Sequence, residues 1–324
     1  MILTTSDPVC IARDPASLES EWSELARRRA YPTVFLTPDW IRLARRYDRR
    51  QQITLEVAHH GIAALARDAD GTISFAGGEL TDYQDIVTAP EDGSTVAAAL
   101  ADWIAAERAP RVRLDFVPEE TGTIQAISPI LTAAGYEVRV ERLVTAPRME
   151  LPSSFDSYVQ GLGKKERHEL RRKLRRLETG RRVGFRFADD GERRAVVDRF
   201  MALHRRSRGE KAEFMTADIE RFFRDVADTL GARGWLRLGV LTVDGEDVAV
   251  LFGFAYAGSL ALYNAAYDPN LAALSVGVAC TAYAIRSAIA EGVRSYDFLR
   301  GDEPYKYDLG GTDHWLLRLE ADRP

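Results

Sequence analysis

The chain has 324 residues, 46% of them apolar and 29% charged, with a formal net charge of −5. That length exceeds what one hydrophobic core ordinarily organises and points to two domains. The composition excludes a disordered or collagen-like chain, and the small negative charge excludes a global basic field for nucleic acid or membrane.

Cys10 and Cys280 form no disulfide framework, and neither has a His or Cys at metal-ligand spacing, so reduced thiols and no metal are expected. Met1 to Asp7 reaches an acid before any long apolar run, so no signal peptide and a cytoplasmic location are expected. Val248 to Tyr267 contains no charged residue over about the length of a spanning helix. Ala257-Gly258-Ser259 interrupts it and its flanks are aromatic and β-branched. Two buried strands joined by a tight turn are expected there, and no membrane insertion.

In chain order, Ser17 to Arg29 places Leu18, Trp22 and Leu25 on one helical face, with Ser17 as candidate cap. Pro38 opens a second helix carrying Trp40, Leu43 and Tyr47. Strands are predicted at Ile53 to Ala58, Gly61 to Ala66 and Thr72 to Phe75. A helix (Thr95 to Glu107), strand (Val112 to Phe116), helix (Ile124 to Ala134) and strand (Glu137 to Leu143) then alternate. A helix pair, a meander and alternating strands and helices describe one α/β domain, ending near Ala146-Pro147.

Helices Phe155 to Gln160 and Lys164 to Thr179 open the second half, followed by a strand at Val183 to Phe187. Helices Arg193 to Arg206 and Ala217 to Leu230 flank a polar turn around Gly209. Three strands follow: Trp235 to Val243, Val248 to Ala257 and Leu260 to Ala266, the first two joined by Asp244-Gly245. Ser275 to Glu291 is a long helix ending at Gly292, then short strands come at Tyr296 to Leu299 and His314 to Glu320. The second half repeats the order of the first. The expectation is an α/β chain of two similar domains, 1–147 and 148–324.

Three features carry chemistry. Lys164 to Arg182 holds ten Lys or Arg against three acids, while Leu170, Leu174 and Leu177 form an apolar stripe. It is an amphipathic helix with a cationic face suited to a nucleotide tail or RNA, or simply to solvent. Ser275-Val276-Gly277-Val278-Ala279 puts small residues at a helix N-terminus, where free N–H groups and the helix dipole favour phosphate. Tyr296 to Gly311 crowds Arg300, Asp302, Glu303, Lys306 and three tyrosines after a strand end, as active sites of α/β proteins do.

The stretches KKERHELRRKLRRLE (Lys164 to Glu178), FMALHRRSRG (Phe200 to Gly209) and FLRGDEPYKYDLGG (Phe298 to Gly311) resemble the FemAB-like and CelD-like branch of the GNAT acyltransferases. The resemblance is loose before Pro147 and clear from Phe155 onward. It implies two GNAT-like domains, each a mixed, largely antiparallel twisted sheet flanked by helices. It also implies acyl transfer to a primary amine by direct attack. The chain has no G-x-S-x-G elbow and no Cys–His arrangement, in keeping with that route.

GNAT relatives grip the pyrophosphate of acetyl-CoA or another acyl-CoA at the turn before the long helix, which Ser275, Gly277 and Ala279 match. Leu274 stands where Arg or Gln belongs. FemAB relatives take the acyl group from aminoacyl-tRNA, and a lysine matched by Lys306 serves the donor's phosphates. In the implied chemistry Asp302 is the base, with Asp297 and Glu303 as the other candidates, and Tyr305 protonates the leaving group. Main chain near Tyr263-Asn264-Ala265 holds the oxyanion, and Lys306 and Arg300 neutralise phosphates. The acceptor is a small-molecule amine whose identity stays open, with tRNA as a possible partner. A non-catalytic binding protein on the same fold is the third reading.

Overall fold

The computed structural model describes residues 9–11, 15–57, 60–207 and 213–324. The chain separates into two units, one holding the residues up to Thr145 with His314–Pro324, the other Ala146–Asp313.

In the first unit β1 (Val9–Ile11) precedes α1 (Glu19–Arg28) and α2 (Pro38–Arg45). A 3-10 turn at Pro15–Leu18 leads into α1, so Leu18 precedes the helix and Ser17 does not cap it. Thr37 caps α2 by accepting from the Trp40 N–H, and Pro38 takes the first helical position. Trp22, Leu25, Trp40 and Leu43 are buried. The meander is β2 (Gln51–Val57), β3 (Gly61–Arg67) and β4 (Ile73–Phe75), with a two-residue β5 (Val87–Thr88) on β3. Helix α3 (Gly93–Ala106) crosses to β6 (Arg111–Pro118), parallel to β4; α4 (Thr123–Ala133) and β7 (Glu137–Thr145) follow. Strand β5 was not predicted, because two residues carry no period.

The second unit starts with β8 (Arg148–Glu150), α5 (Phe155–Gly161) and α6 (Lys164–Glu178). Next come β9 (Val183–Phe187), α7 (Arg193–Arg205) and α8 (Ala217–Ala232). The meander is β10 (Leu236–Val243), β11 (Glu246–Tyr256) and β12 (Ser259–Tyr267), then α9 (Val276–Ala290), β13 (Ser295–Asp297) and a short α10 (Pro304–Asp308). The sheet runs β8-β13-β12-β11-β10-β9, antiparallel except where β13 lies parallel to β12. Asp244 (φ +53°) with Gly245 (+92°), and Ala257 (+47°) with Gly258 (+87°), close the two hairpins with the left-handed backbone that a tight two-residue turn requires. The uncharged stretch is therefore β11 and β12, and no helix among the described residues is long and apolar enough to cross a membrane. The turn at Gly209 lies outside the described residues.

The last strand, β14 (Trp315–Asp322), corrects the expected extent of the second domain. It pairs antiparallel with both β6 and β7, and the first sheet runs β1-β2-β3-β4-β6-β14-β7. Leu317, Leu319 and Ala321 complete the first core, beside Val112 and Leu114. Alternating apolar residues mark a strand but not the sheet it joins. The first unit thus ends at Thr145 and regains residues 314–324.

The second core gathers Leu241, Leu251, Leu260, Ile285 and Tyr296. Leu170 and Leu177 of α6 join it at 2% and 0% exposure. Burying each contributes about 1.5–3 kcal/mol. Those leucines hold the helix while its cations face water.

Candidate active site

Strands β12 and β13 pair over only three residues, from Ser259–Ser295 to Ala261–Asp297. Strand β12 then runs on to Tyr267 while β13 ends. On its other side Phe252 faces Asn264 and Gly253 faces Leu262, so Tyr263 is the extra residue of a bulge. A side chain at Gly253 would place Cβ 2.5 Å from the Ala261 carbonyl oxygen, which explains the glycine. Tyr263 sits in an aromatic layer, 5.2 Å from Phe254 and 5.8 Å from Phe223 between ring centroids. Because β12 and β13 are parallel, their carboxyl ends open at one edge of the sheet. That edge carries both the turn into α9 and the loop leading to α10, where α/β proteins place ligands.

The loop is held by its own charged residues. Asp297, 2% exposed, accepts from the Leu299 N–H at 2.8 Å. Leu299 is left-handed (φ +57°), a conformation costing a branched residue about 1–2 kcal/mol. Lys306, also 2% exposed, donates to the carbonyl oxygens of Leu299 (3.0 Å), Arg300 (2.6 Å) and Gly301 (3.2 Å) and pairs with Glu303 at 2.9 Å. Lys306 is therefore not poised for a phosphate, as the resemblance implied: its ammonium is spent on the main chain. Asp297 is likewise a brace and not an accessible base. Asp302 is exposed, and its carboxylate makes no hydrogen bond among the described residues. Tyr305 is largely buried, and burial with the nearby Glu303 carboxylate pushes its phenol well above the usual range. Arg300 is half-buried on the same loop.

At the turn into α9, Ser275 is left-handed (φ +56°) and gives no side-chain cap. Its Oγ instead accepts from Arg176 Nη2 at 2.9 Å. Val276, Gly277 and Val278 form the first turn, where N–H groups lack an intrahelical acceptor. A Cβ at Gly277 would stand 3.0 Å from the Tyr267 ring. Ala279 is fully buried and its N–H bonds the Ser275 carbonyl at 2.9 Å, so it packs the helix instead of facing a donor.

Helix α6 reaches both parts of this edge. Arg176 touches Ser275, and Lys173 Nζ lies 3.9 Å from Asp308 Oδ2 in α10. The sequence singled out the helix but neither residue; the available signal was their position beside Leu174 and Leu177, at the margin of the apolar stripe. On its outward face Lys164, Lys165, Arg171 and Arg175 are exposed without ion pairs among the described residues. The first turns of α6 line a concavity of about 560 Å3. Cys280 is buried, which pushes its thiol up to about 12 and keeps it unreactive. Among the described residues no group of three His, Cys, Asp or Glu is placed to hold a metal ion.

Residues 164–307 match the family model of an acetyltransferase (GNAT) domain. No curated protein matches the chain by sequence. By fold it is similar to a conserved protein of unknown function from Bacteroides thetaiotaomicron, at 11% identity, covering 98% of this chain and 100% of that one, with TM-score 0.67. It is similar to FemX at 12% identity, 93% and 95% coverage and TM-score 0.65. A tandem GNAT protein from the clavulanic acid biosynthesis pathway shares 11% identity over 98% of each chain, with TM-score 0.50. The two sheets described above, each a meander joined to a parallel strand, are the paired halves of that architecture. Residues 164–307 are thus a GNAT acetyltransferase domain, lying in the second unit, and the chain as a whole has the fold of two GNAT-like domains.

Proposed function

We propose that the enzyme moves an acyl group from acetyl-CoA or another acyl-CoA directly to a primary amine. The observation that carries this reading is the contact between Arg176 and Ser275. The turn lacks the Arg or Gln expected at Leu274, and a guanidinium from α6 reaches the next residue, Ser275. A guanidinium beside the first turn of α9 fits a pyrophosphate, through charge-assisted bonds and the helix N-terminus. Val276, Gly277 and Arg176 would hold the donor there.

In this reading the acyl carbon lies along β12 beyond Ala261, near Asn264, where the two parallel strands part. The amine nitrogen forms the new C–N bond and the thioester C–S bond breaks. Asp302, exposed and unpartnered among the described residues, takes the amine proton. Tyr305 keeps its own proton to high pH and serves as hydrogen-bond donor to the departing sulfur. Arg300 supplies a further positive charge. Asp297 and Lys306 position the loop that carries these groups. The test is calorimetry with CoA, together with native mass spectrometry of the freshly purified protein. Binding of CoA that Arg176→Ala weakens supports the reading, and no binding of CoA or acetyl-CoA sinks it.

A second reading, amide formation from aminoacyl-tRNA, is favoured by the exposed cations Lys164, Lys165, Arg171 and Arg175 and the concavity beside them. Co-purifying RNA whose binding falls steeply with salt would support it over the first.

A further inference from the structure

The first unit repeats the parting of parallel strands that makes the site of the second. Strands β4 and β6 pair at a single position, Ile73 with Val112, and then diverge. On β6 the register with β14 slips between Leu317 and Leu319, leaving Asp115 and Phe116 opposite Arg318. Phe116 takes φ +58°, a costly conformation for an aromatic residue and of the kind that clusters at binding sites. The divergence encloses a cavity of about 260 Å3 lined by Arg50, Asp68, Ser74, Gln84, Arg113 and Asp115.

Glu79 also lines the cavity and has an interaction of its own, and Arg50, Arg113 and Asp115 are held by ion pairs. Arg50 grips Asp48 through two bonds, at 2.8 and 2.7 Å, and reaches Ser74 Oγ at 2.5 Å. Asp115 accepts from Arg318 at 2.6 Å and from Arg113 at 2.9 Å. The carboxylate of Asp68 makes no hydrogen bond and no ion pair within 4 Å among the described residues, although the charge of Arg50 reaches it at longer range. Gln84, 4% exposed, spends both its main-chain N–H (on Phe116 O, 3.1 Å) and its side-chain Nε2 (on Gly78 O, 2.7 Å), which leaves its carbonyl oxygen as an acceptor. Ser74 Oγ, already accepting from Arg50, has its proton to give.

We propose that this cavity binds a small hydroxylated primary amine, its ammonium on Asp68 and Gln84 and a hydroxyl on Ser74. An anion is disfavoured because the guanidinium charges are already matched, and an apolar ligand would leave Asp68 desolvated without a partner. The volume suits a molecule of amino-sugar or amino-alcohol size. The site belongs wholly to the first unit and does not rest on the acyl-transfer reading.

The test is calorimetry on the full chain with glucosamine and ethanolamine as probes, and glucose and ethylene glycol as neutral counterparts. The amines should bind in the millimolar range or tighter and the neutral compounds not. Asp68→Asn should weaken the amines about tenfold or more, the loss of one charge-assisted contact, with an unchanged melting temperature. Asp302→Asn, which alters the second unit, should leave that binding in place. Asp68→Ser repeats the measurement should the Asn variant melt early. Amine binding that survives both Asp68 variants, or that disappears with Asp302→Asn, places the amine elsewhere and overturns the proposal; so does binding of glucose equal to glucosamine, or no binding at all.

Discussion

Asp297 and Lys306 hold the two ends of one peptide unit pair at Leu299: the carboxylate takes its N–H at 2.8 Å and the ammonium its carbonyl oxygen at 3.0 Å. A left-handed leucine is thereby fixed at the start of the loop, and the residues beyond it, Arg300 and Asp302, inherit a defined position. The Asp…Lys spacing of the motif is a loop-locking device before it is anything catalytic. Positioning of this kind matters because small displacements of reacting groups carry large rate penalties.

Lys306→Ala should accordingly lose stability, contrary to what an exposed phosphate ligand would do. Three carbonyl oxygens lose a charged donor, costing about 2–4 kcal/mol. In a chain of this size the melting temperature should fall by about 5 °C or more. Turnover should fall with it, and Lys306→Arg should rescue neither, since a planar guanidinium does not fit three converging carbonyls. Thermal melts and amide formation read by mass spectrometry check this. A variant of full stability that has lost donor affinity would restore the phosphate role.

Arg176→Ala should do the opposite. The side chain is exposed, so stability should change by no more than about 0.5 kcal/mol. CoA affinity should drop about tenfold, as expected for one charge-assisted contact, and Arg176→Lys should recover part of it. Calorimetry with CoA decides the matter; equal affinity in wild type and Arg176→Ala would detach α6 from the donor site.

Gly277 separates packing from binding. Its added Cβ would press the Tyr267 ring at 3.0 Å, but that ring is 37% exposed and has room to turn. Gly277→Ala should therefore cost about 1 kcal/mol or less. Gly277→Asp adds a carboxylate at the proposed pyrophosphate position and should abolish CoA binding while circular dichroism stays native. Full CoA affinity in folded Gly277→Asp would remove the turn from the site.

Most elements were legible in the sequence because their signals are local. Val183–Phe187 and the Asp244-Gly245 hairpin follow from a run of apolar alternation and one dipeptide. The destination of Trp315–Asp322 was not legible, since alternation is the same whichever sheet buries it. In the site, the density of charge after β13 was visible, but the division of labour was not. Lys306 and Asp302 are both charged residues in one short loop, and only the backbone path puts one at 2% exposure and the other in water. Arg176 was hidden among ten similar cations, and its contact with Ser275 joins residues 99 positions apart.

Burial of titrating groups sets an alkaline limit. Burial holds the Cys280 thiol up to about 12 and the phenols of Tyr158, Tyr296 and Tyr305 well above their usual range. Each is raised in the folded state relative to the unfolded one, where thiols and phenols titrate near about 8.5 and 10. Stability should thus be complete below pH about 8.5 and fall as pH rises toward 12, because the unfolded chain releases protons the folded one retains. Denaturant melts between neutral pH and pH 10.5 should show that fall. In a Cys10→Ala background, thiol reagents should label Cys280 only on unfolding. Rapid labelling of the native protein at neutral pH would contradict the burial.

The carboxy-terminal strand supplies the strongest test of the architecture. Strand β14 lies between β6 and β7, and Leu316, Leu317, Leu319 and Ala321 are at most 4% exposed. Three buried leucines alone contribute about 1.5–3 kcal/mol each, comparable with the whole stability of a domain. Ending the chain at Asp313 would also expose two unpaired strand edges, on β6 and β7, which invite aggregation. The truncated chain should lose the cooperative transition of the first unit, bind a hydrophobic dye and aggregate. Leu319→Asp in the full chain should be a milder version, buried charge in place of a fully buried leucine, with a large loss of stability and no loss of sequence. Had the last strand belonged to the second sheet, truncation would spare the first unit and damage the second. Hydrogen exchange of the 1–313 chain distinguishes the two outcomes: native protection in α3 and α4 after truncation would show that β14 does not complete the first core.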